Sequence, residues 1–232
     1  MLWNPEFLFI SHPRTASRSL NLHFASTWPT PVHGLVSEGN RRTIAKAARQ
    51  GLFIDPGPGN RSLRQAEAAL ARFGRTLDQF RAIFVTVRHP YALARSLYDF
   101  MREDYERNVR RLNFQLARHL DFEHFVQEFE PAPFENWVTS SAGVVPGNLR
   151  RLRVECLDED MREAYRDLGL PEPSEVPHLN TVAERGLPEA ISPEAEAAIF
   201  RRWRFLFEFG GYERDALPAR ADENAPGDAA LA

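Results

Sequence analysis

The sequence predicts an α/β fold: a three-layer domain with a central, mainly parallel sheet flanked by helices. Three observations predict it. Short apolar runs rich in β-branched and aromatic residues recur along the chain. They alternate with stretches of helical period, and Gly, Pro and Ser punctuate the joins. One domain is expected over residues 1–214. The Ala-, Pro-, Asp- and Glu-rich residues 215–232 read as a disordered tail.

Phe7 to Ser11 is a short apolar run of the kind buried on both faces of a sheet. The polar stretch His12 to Ser19 follows, and Leu20 and Phe24 open a helical spacing. Leu52-Phe53-Ile54 predicts a second strand, stopped by Asp55-Pro56-Gly57-Pro58-Gly59. Ser62 with Gln65 forms a capping box before a helix whose apolar face is Ala66, Leu70 and Phe73. Ala82 to Val87 is the strongest strand signal, and Pro90 suits the first turn of the helix after it. Leu93, Leu97, Phe100 and Met101 stripe that helix; Phe122, Phe125, Val126 and Phe129 stripe another. Leu149 to Val154 reads as a strand, and Leu157, Met161, Tyr165 and Leu168 as a helix ending at Gly169. Ser192-Pro193 opens the last helix, with Ile199, Trp203, Leu206 and Phe207 on one side and Gly210-Gly211 at its end.

Composition narrows the functional classes. The formal charge is −3 among 232 residues, which argues against nucleic acid as a partner. Cys156 is the one cysteine, so no internal disulfide or multi-cysteine metal site exists. The seven histidines, His12 and His178 among them, show no ligand spacing, and no metal is expected. No apolar run is long enough to span a membrane, and Phe7-Leu8-Phe9-Ile10 is too short for a secretory h-region; a cytoplasmic protein is the expectation. Lys46 is the lone lysine among 29 basic residues, so a lysine-dependent motif could carry Arg instead.

Two stretches carry chemistry. In the first, Arg14, Thr15, Ala16, Ser17, Arg18, Ser19 and Leu20 link a strand to a helix N-terminus. Unpaired N–H groups and the positive end of the helix dipole suit an anion there. In the second, Arg88 leaves the end of the strongest strand and Ser96 sits two turns into the next helix. A guanidinium fork and a hydroxyl at those places can converge on one phosphate. Helix capping and a solvated turn would account for either stretch alone. The Arg150-Arg151-Leu152-Arg153 cluster and the Arg201, Arg202, Arg204 group read as solvated faces.

Taken together, the two stretches resemble the sulfotransferase family, which uses 3′-phosphoadenosine 5′-phosphosulfate (PAPS). Pro13-Arg14-Thr15-Ala16-Ser17-Arg18-Ser19-Leu20 is similar to its 5′-phosphosulfate loop. Arg88-His89-Pro90 with Ser96 eight residues after the Arg is similar to its 3′-phosphate motif. Val154-Glu155-Cys156-Leu157, Pro177-His178-Leu179-Asn180 and Phe209-Gly210-Gly211-Tyr212 look like later segments of its bacterial and carbohydrate-acting branches. The resemblance implies a P-loop-like fold and PAPS as co-substrate. It implies donor contacts from Arg14 to Leu20, Arg88 and Ser96, and a sugar, lipid or small natural product as acceptor. Arg14 would stand where the family has a catalytic lysine. Its role would be electrostatic, because a guanidinium with a pKa above about 12 is a poor proton donor. Ala16 replaces a customary glycine and needs a backbone that tolerates Cβ.

The acceptor hydroxyl needs a general base. Asp55, at a strand end, is the first choice and His33 the second, with Glu38 a further candidate; where one branch of the sulfotransferase family places a His, this chain has Asn60-Arg61. Asp55 could equally cap a turn before proline. The stretches 28–50 and 101–145 are expected to shape the acceptor pocket. Two rivals stay open. A P-loop nucleotide kinase shares the strand–loop–helix logic but lacks its Gly-x-x-x-x-Gly-Lys-Ser/Thr signature. A non-catalytic nucleotide-binding descendant would also fit Ala16 and the absence of an obvious base.

Overall fold

The computed structural model describes residues 1–28, 30–36, 52–56, 60–173, 176 and 191–214. The expected tail, Glu38, Lys46 and the 177–180 segment lie outside them. Among the described residues, six strands form one sheet: β1 (Leu2–Trp3), β2 (Phe7–Ile10), β3 (Val32–Val36), β4 (Leu52–Pro56), β5 (Ala82–Val87) and β6 (Leu149–Arg153). Their order is β4-β3-β1-β2-β5-β6. β2, β5 and β6 are mutually parallel, as are β3 and β4. β1 runs antiparallel to both β2 and β3, so the other five strands share one direction. The sheet is thus mainly parallel, as expected, with one two-residue antiparallel strand inserted between its halves.

Period-two alternation places the two cores. Leu8, Ile10, Ile83, Val85 and Val87 face one layer; Phe7, Phe9, Ala82, Phe84 and Leu152 face the other. The second layer holds α1 (Ser17–Thr27) and α7 (Leu157–Asp167), which bury Leu20, Phe24, Met161 and Tyr165. The first holds α2 (Leu63–Ala71), α3 (Pro90–Glu103), α4 (Leu112–His119), α5 (Phe122–Glu128), α6 (Glu135–Val138) and α8 (Pro193–Gly210). β2 and β5 are covered on both sides, which explains their uninterrupted apolar character.

The local signals act as expected where the ends are built. Gln65 N–H donates to Ser62 Oγ at 3.3 Å and Ser62 N–H to Gln65 Oε1 at 3.0 Å, closing the capping box of α2. Pro90 begins α3. Phe73 departs from expectation: α2 ends at Ala71, so Phe73 lies beyond it, 48% exposed, with its ring 5.4 Å from that of Trp3.

Candidate anion-binding site

The site lies where β2 and β5 end side by side. β2 pairs with β5 in register, Ile10 opposite Val85. Each strand feeds a corner and then a helix, so the His12–Ala16 loop and the Arg88-His89 corner share one edge of the sheet.

The first corner is built by strain and by inward-turned hydroxyls. Arg14 (φ 63°) and Ala16 (φ 55°) are both left-handed, while Thr15 between them is not. Alternating hand turns successive N–H groups to one side, a backbone arrangement suited to anions. Leu20 N–H bonds Ala16 C=O at 3.1 Å, so the amide of Ser17 lies ahead of the helix's own ladder. Thr15 is fully buried; its hydroxyl donates to His12 C=O at 2.8 Å and receives the Thr86 hydroxyl at 2.5 Å. That pair ties the loop to β5. Ser17 Oγ also donates to His12 C=O. Arg18 is exposed, Ser19 is buried, and the Leu20 side chain belongs to the core.

The second corner is built by a satisfied backbone. His89 C=O receives Leu93 N–H at 2.8 Å, and His89 N–H donates to Glu155 Oε1 at 2.7 Å. Arg88 stands at the end of β5, half-buried.

Arg14 joins the corners. Its Nε donates to Ser96 Oγ at 3.0 Å, across 82 residues of sequence. Its guanidinium carbon lies 5.0 Å from the Phe100 ring centroid, one turn further along α3. Burial first, and the Arg88 charge second, pull the Arg14 pKa below its ordinary value; Glu103 and Asp99 pull it back. Two arginines that repel each other across one sheet edge favour an anion between them.

The structure therefore brings together Arg14, Thr15, Ala16, Ser17, Arg88 and Ser96. The base candidates stand apart. Asp55 belongs to β4, at the same C-terminal edge as the loop, but β4 is three strand spacings from β2, ~14 Å. His33 lies level with Leu8, through Trp3, and stacks on the Trp3 ring at 5.4 Å. Thr86 and Phe100 hold the site but carried no signal in the sequence beyond their membership of a strand and a helix stripe. Among the described residues, no cluster of three or more His, Cys, Asp or Glu could hold a metal, and no helix is long and apolar enough to cross a membrane.

Neither a family model nor a curated protein matches the sequence. Among solved structures, the chain is similar to a sulfotransferase from Alicyclobacillus acidocaldarius. The match covers 91% of this chain and 97% of that one, at 14% identity and a TM-score of 0.47. At that distance, what the chain does has to come from its own residues.

Proposed function

We propose that the chain is a sulfotransferase that moves a sulfuryl group from PAPS to a hydroxyl of a sugar, lipid or small natural product. The observation that carries this reading is the 3.0 Å bond from Arg14 to Ser96, which makes one site of two motifs far apart in sequence. A bisphosphorylated nucleotide needs two anion sites at a fixed separation, and the two corners supply them.

In this reading the loop amides from Thr15 to Leu20 hold the 5′-phosphosulfate, and Arg88 and Ser96 hold the 3′-phosphate. The acceptor O–H gives its proton to a base as its oxygen bonds sulfur. The bridging S–O bond breaks, and its electron pair stays on the 5′-phosphate. Arg14, at the centre, stabilises the charge that builds on that leaving oxygen. Asp55, on the same sheet edge, is the proposed base; His33, level with the sheet's middle, is the weaker one.

Thermal unfolding tests the reading. Ligand at a hundredfold excess over Kd adds about 2.7 kcal/mol. For a domain of this size each kcal/mol raises Tm by roughly 2–4 °C. 3′-Phosphoadenosine 5′-phosphate should raise Tm by several degrees and ATP at equal concentration should not. A shift with ATP alone supports a kinase, and no shift with either leaves a fold without its site.

A further inference from the structure

The segment closing α8 reaches back to the Arg88 corner through a chain of contacts. Gly211 is left-handed (φ 69°) and caps α8, reversing the chain. Gly210 lies beneath the Tyr212 ring: a Cβ there would sit 2.2 Å from Tyr212 Cε2. Only glycine at 210 lets the ring fold back over the helix end. So placed, Tyr212 packs on His89, centroids 5.0 Å apart, and its hydroxyl donates to Glu155 Oε2 at 2.9 Å. The other oxygen, Glu155 Oε1, accepts His89 N–H at 2.7 Å. Tyr91 OH donates to Arg214 C=O at 2.8 Å and anchors the segment a second time.

We propose that Glu155 is a positioning residue for Arg88, held in place by Tyr212, and that the Gly210-Gly211-Tyr212 turn exists to deliver it. The physical reason is local. Arg88 precedes the residue whose N–H Glu155 fixes, at a corner where the backbone leaves β5. Without that acceptor the peptide between Arg88 and His89 can rotate, and the guanidinium loses its aim. Burial pushes the His89 imidazole below its ordinary pKa, against the opposing pull of Glu155, so a neutral ring fills the space between the two tyrosines. The proposal rests on the reading of Arg88 as the ligand of a 3′-phosphate.

The test compares 3′-phosphoadenosine 5′-phosphate with adenosine 5′-monophosphate, which differ only in the 3′-phosphate. Calorimetry on the full chain gives the ratio of their dissociation constants. E155A should lower the preference for the bisphosphate about tenfold, as expected when a donor loses a charged acceptor. E155Q keeps an acceptor oxygen and should restore the preference to within about threefold of the parent. Y212F should cause an intermediate loss, and it carries the test alone should E155A not fold. Equal loss for both nucleotides, or no loss for either, overturns the positioning role. A parent protein with no preference for the bisphosphate overturns the assignment of Arg88 itself, before any variant is made.

Discussion

The two corners at the sheet edge solve one problem by opposite means. The β2–α1 corner holds two left-handed, non-glycine residues and turns its hydroxyls inward, leaving main-chain amides as its working surface. The β5–α3 corner keeps its main chain satisfied, by Leu93 on one side and Glu155 on the other, and offers a side chain. Amides suit a group whose oxygens change charge during reaction, because they are rigid and close. A guanidinium at the end of a strand suits a phosphate that only anchors the nucleotide. Strain is stored where chemistry is expected, and hydrogen-bonded support where binding is expected.

Breaking each corner should therefore give different kinetics. Removing Arg14 has the largest expected effect. Arg14→Ala should slow conversion of PAPS to 3′-phosphoadenosine 5′-phosphate by about 100- to 1,000-fold, the usual cost of losing a group aimed at developing charge. Affinity for the bisphosphate should change by less than about tenfold. A proportional loss of binding and turnover would make Arg14 an anchor like Arg88, and the contrast would collapse. Arg88→Ala should show the converse. Bisphosphate affinity should fall roughly 10- to 100-fold, with adenosine 5′-monophosphate binding nearly unchanged, as for loss of a charge-assisted contact. Titration calorimetry with both nucleotides decides it.

Acid sharpens the comparison next, because each corner carries a buried histidine. Burial lowers His12 to about 3 and pushes His89 below its ordinary value. His23, in α1, falls to about 4 for the same reason. These groups stay neutral in the folded chain while the unfolded chain protonates them near pH 6.5. The unfolded state then binds more protons, so stability is full above about pH 6.5 and falls with pH toward the folded values. Each such histidine can cost up to about 1.4 kcal/mol per pH unit in that window. His12→Phe suits the pocket, since His12 meets the Phe134 and Trp137 rings edge-on at 5.3 and 4.7 Å. Denaturant unfolding of this variant between pH 7 and 5 should show a shallower decline than the parent; an identical slope would mean that His12 is not held neutral.

Much of this was legible in the sequence, and what was not has physical causes. β2 and β5 announce themselves because every residue in them is buried and the runs are apolar or β-branched, whereas β6 shows only Leu149 and Leu152 among arginines. β1 is two residues long and has no period to read. β3 is interrupted by His33 and Gly34, and its strand character comes from pairing with β1 and β4. Of the two, β1 alone runs against the shared direction of the sheet. At the site, residue types and order pointed to Arg14, Arg88 and Ser96. Spacing could not show that Thr15 meets Thr86, or that Glu155 meets His89, since 71 and 66 residues separate those partners. The base was least legible because no local signal distinguishes a carboxylate that takes a proton from one that caps a turn.

The smallest effect probes the strain itself. Ala16 holds a conformation that costs an L-residue about 1–2 kcal/mol relative to glycine. Ala16→Gly relieves that cost but gives the unfolded chain back roughly 0.5–1 kcal/mol of backbone entropy. Its methyl packs only partly against the core beneath α1, so little burial is lost. The net gain should be about 0.5–1 kcal/mol, a rise in Tm of roughly 1–4 °C for this chain length. The extra freedom should also loosen the loop, so bisphosphate affinity should fall slightly, by about two- to threefold. A stabler protein that binds less tightly would mean that the left-handed alanine preorganises the amides. A less stable one would mean that the loop carries no stored strain, and the two corners would then differ in chemistry but not in construction.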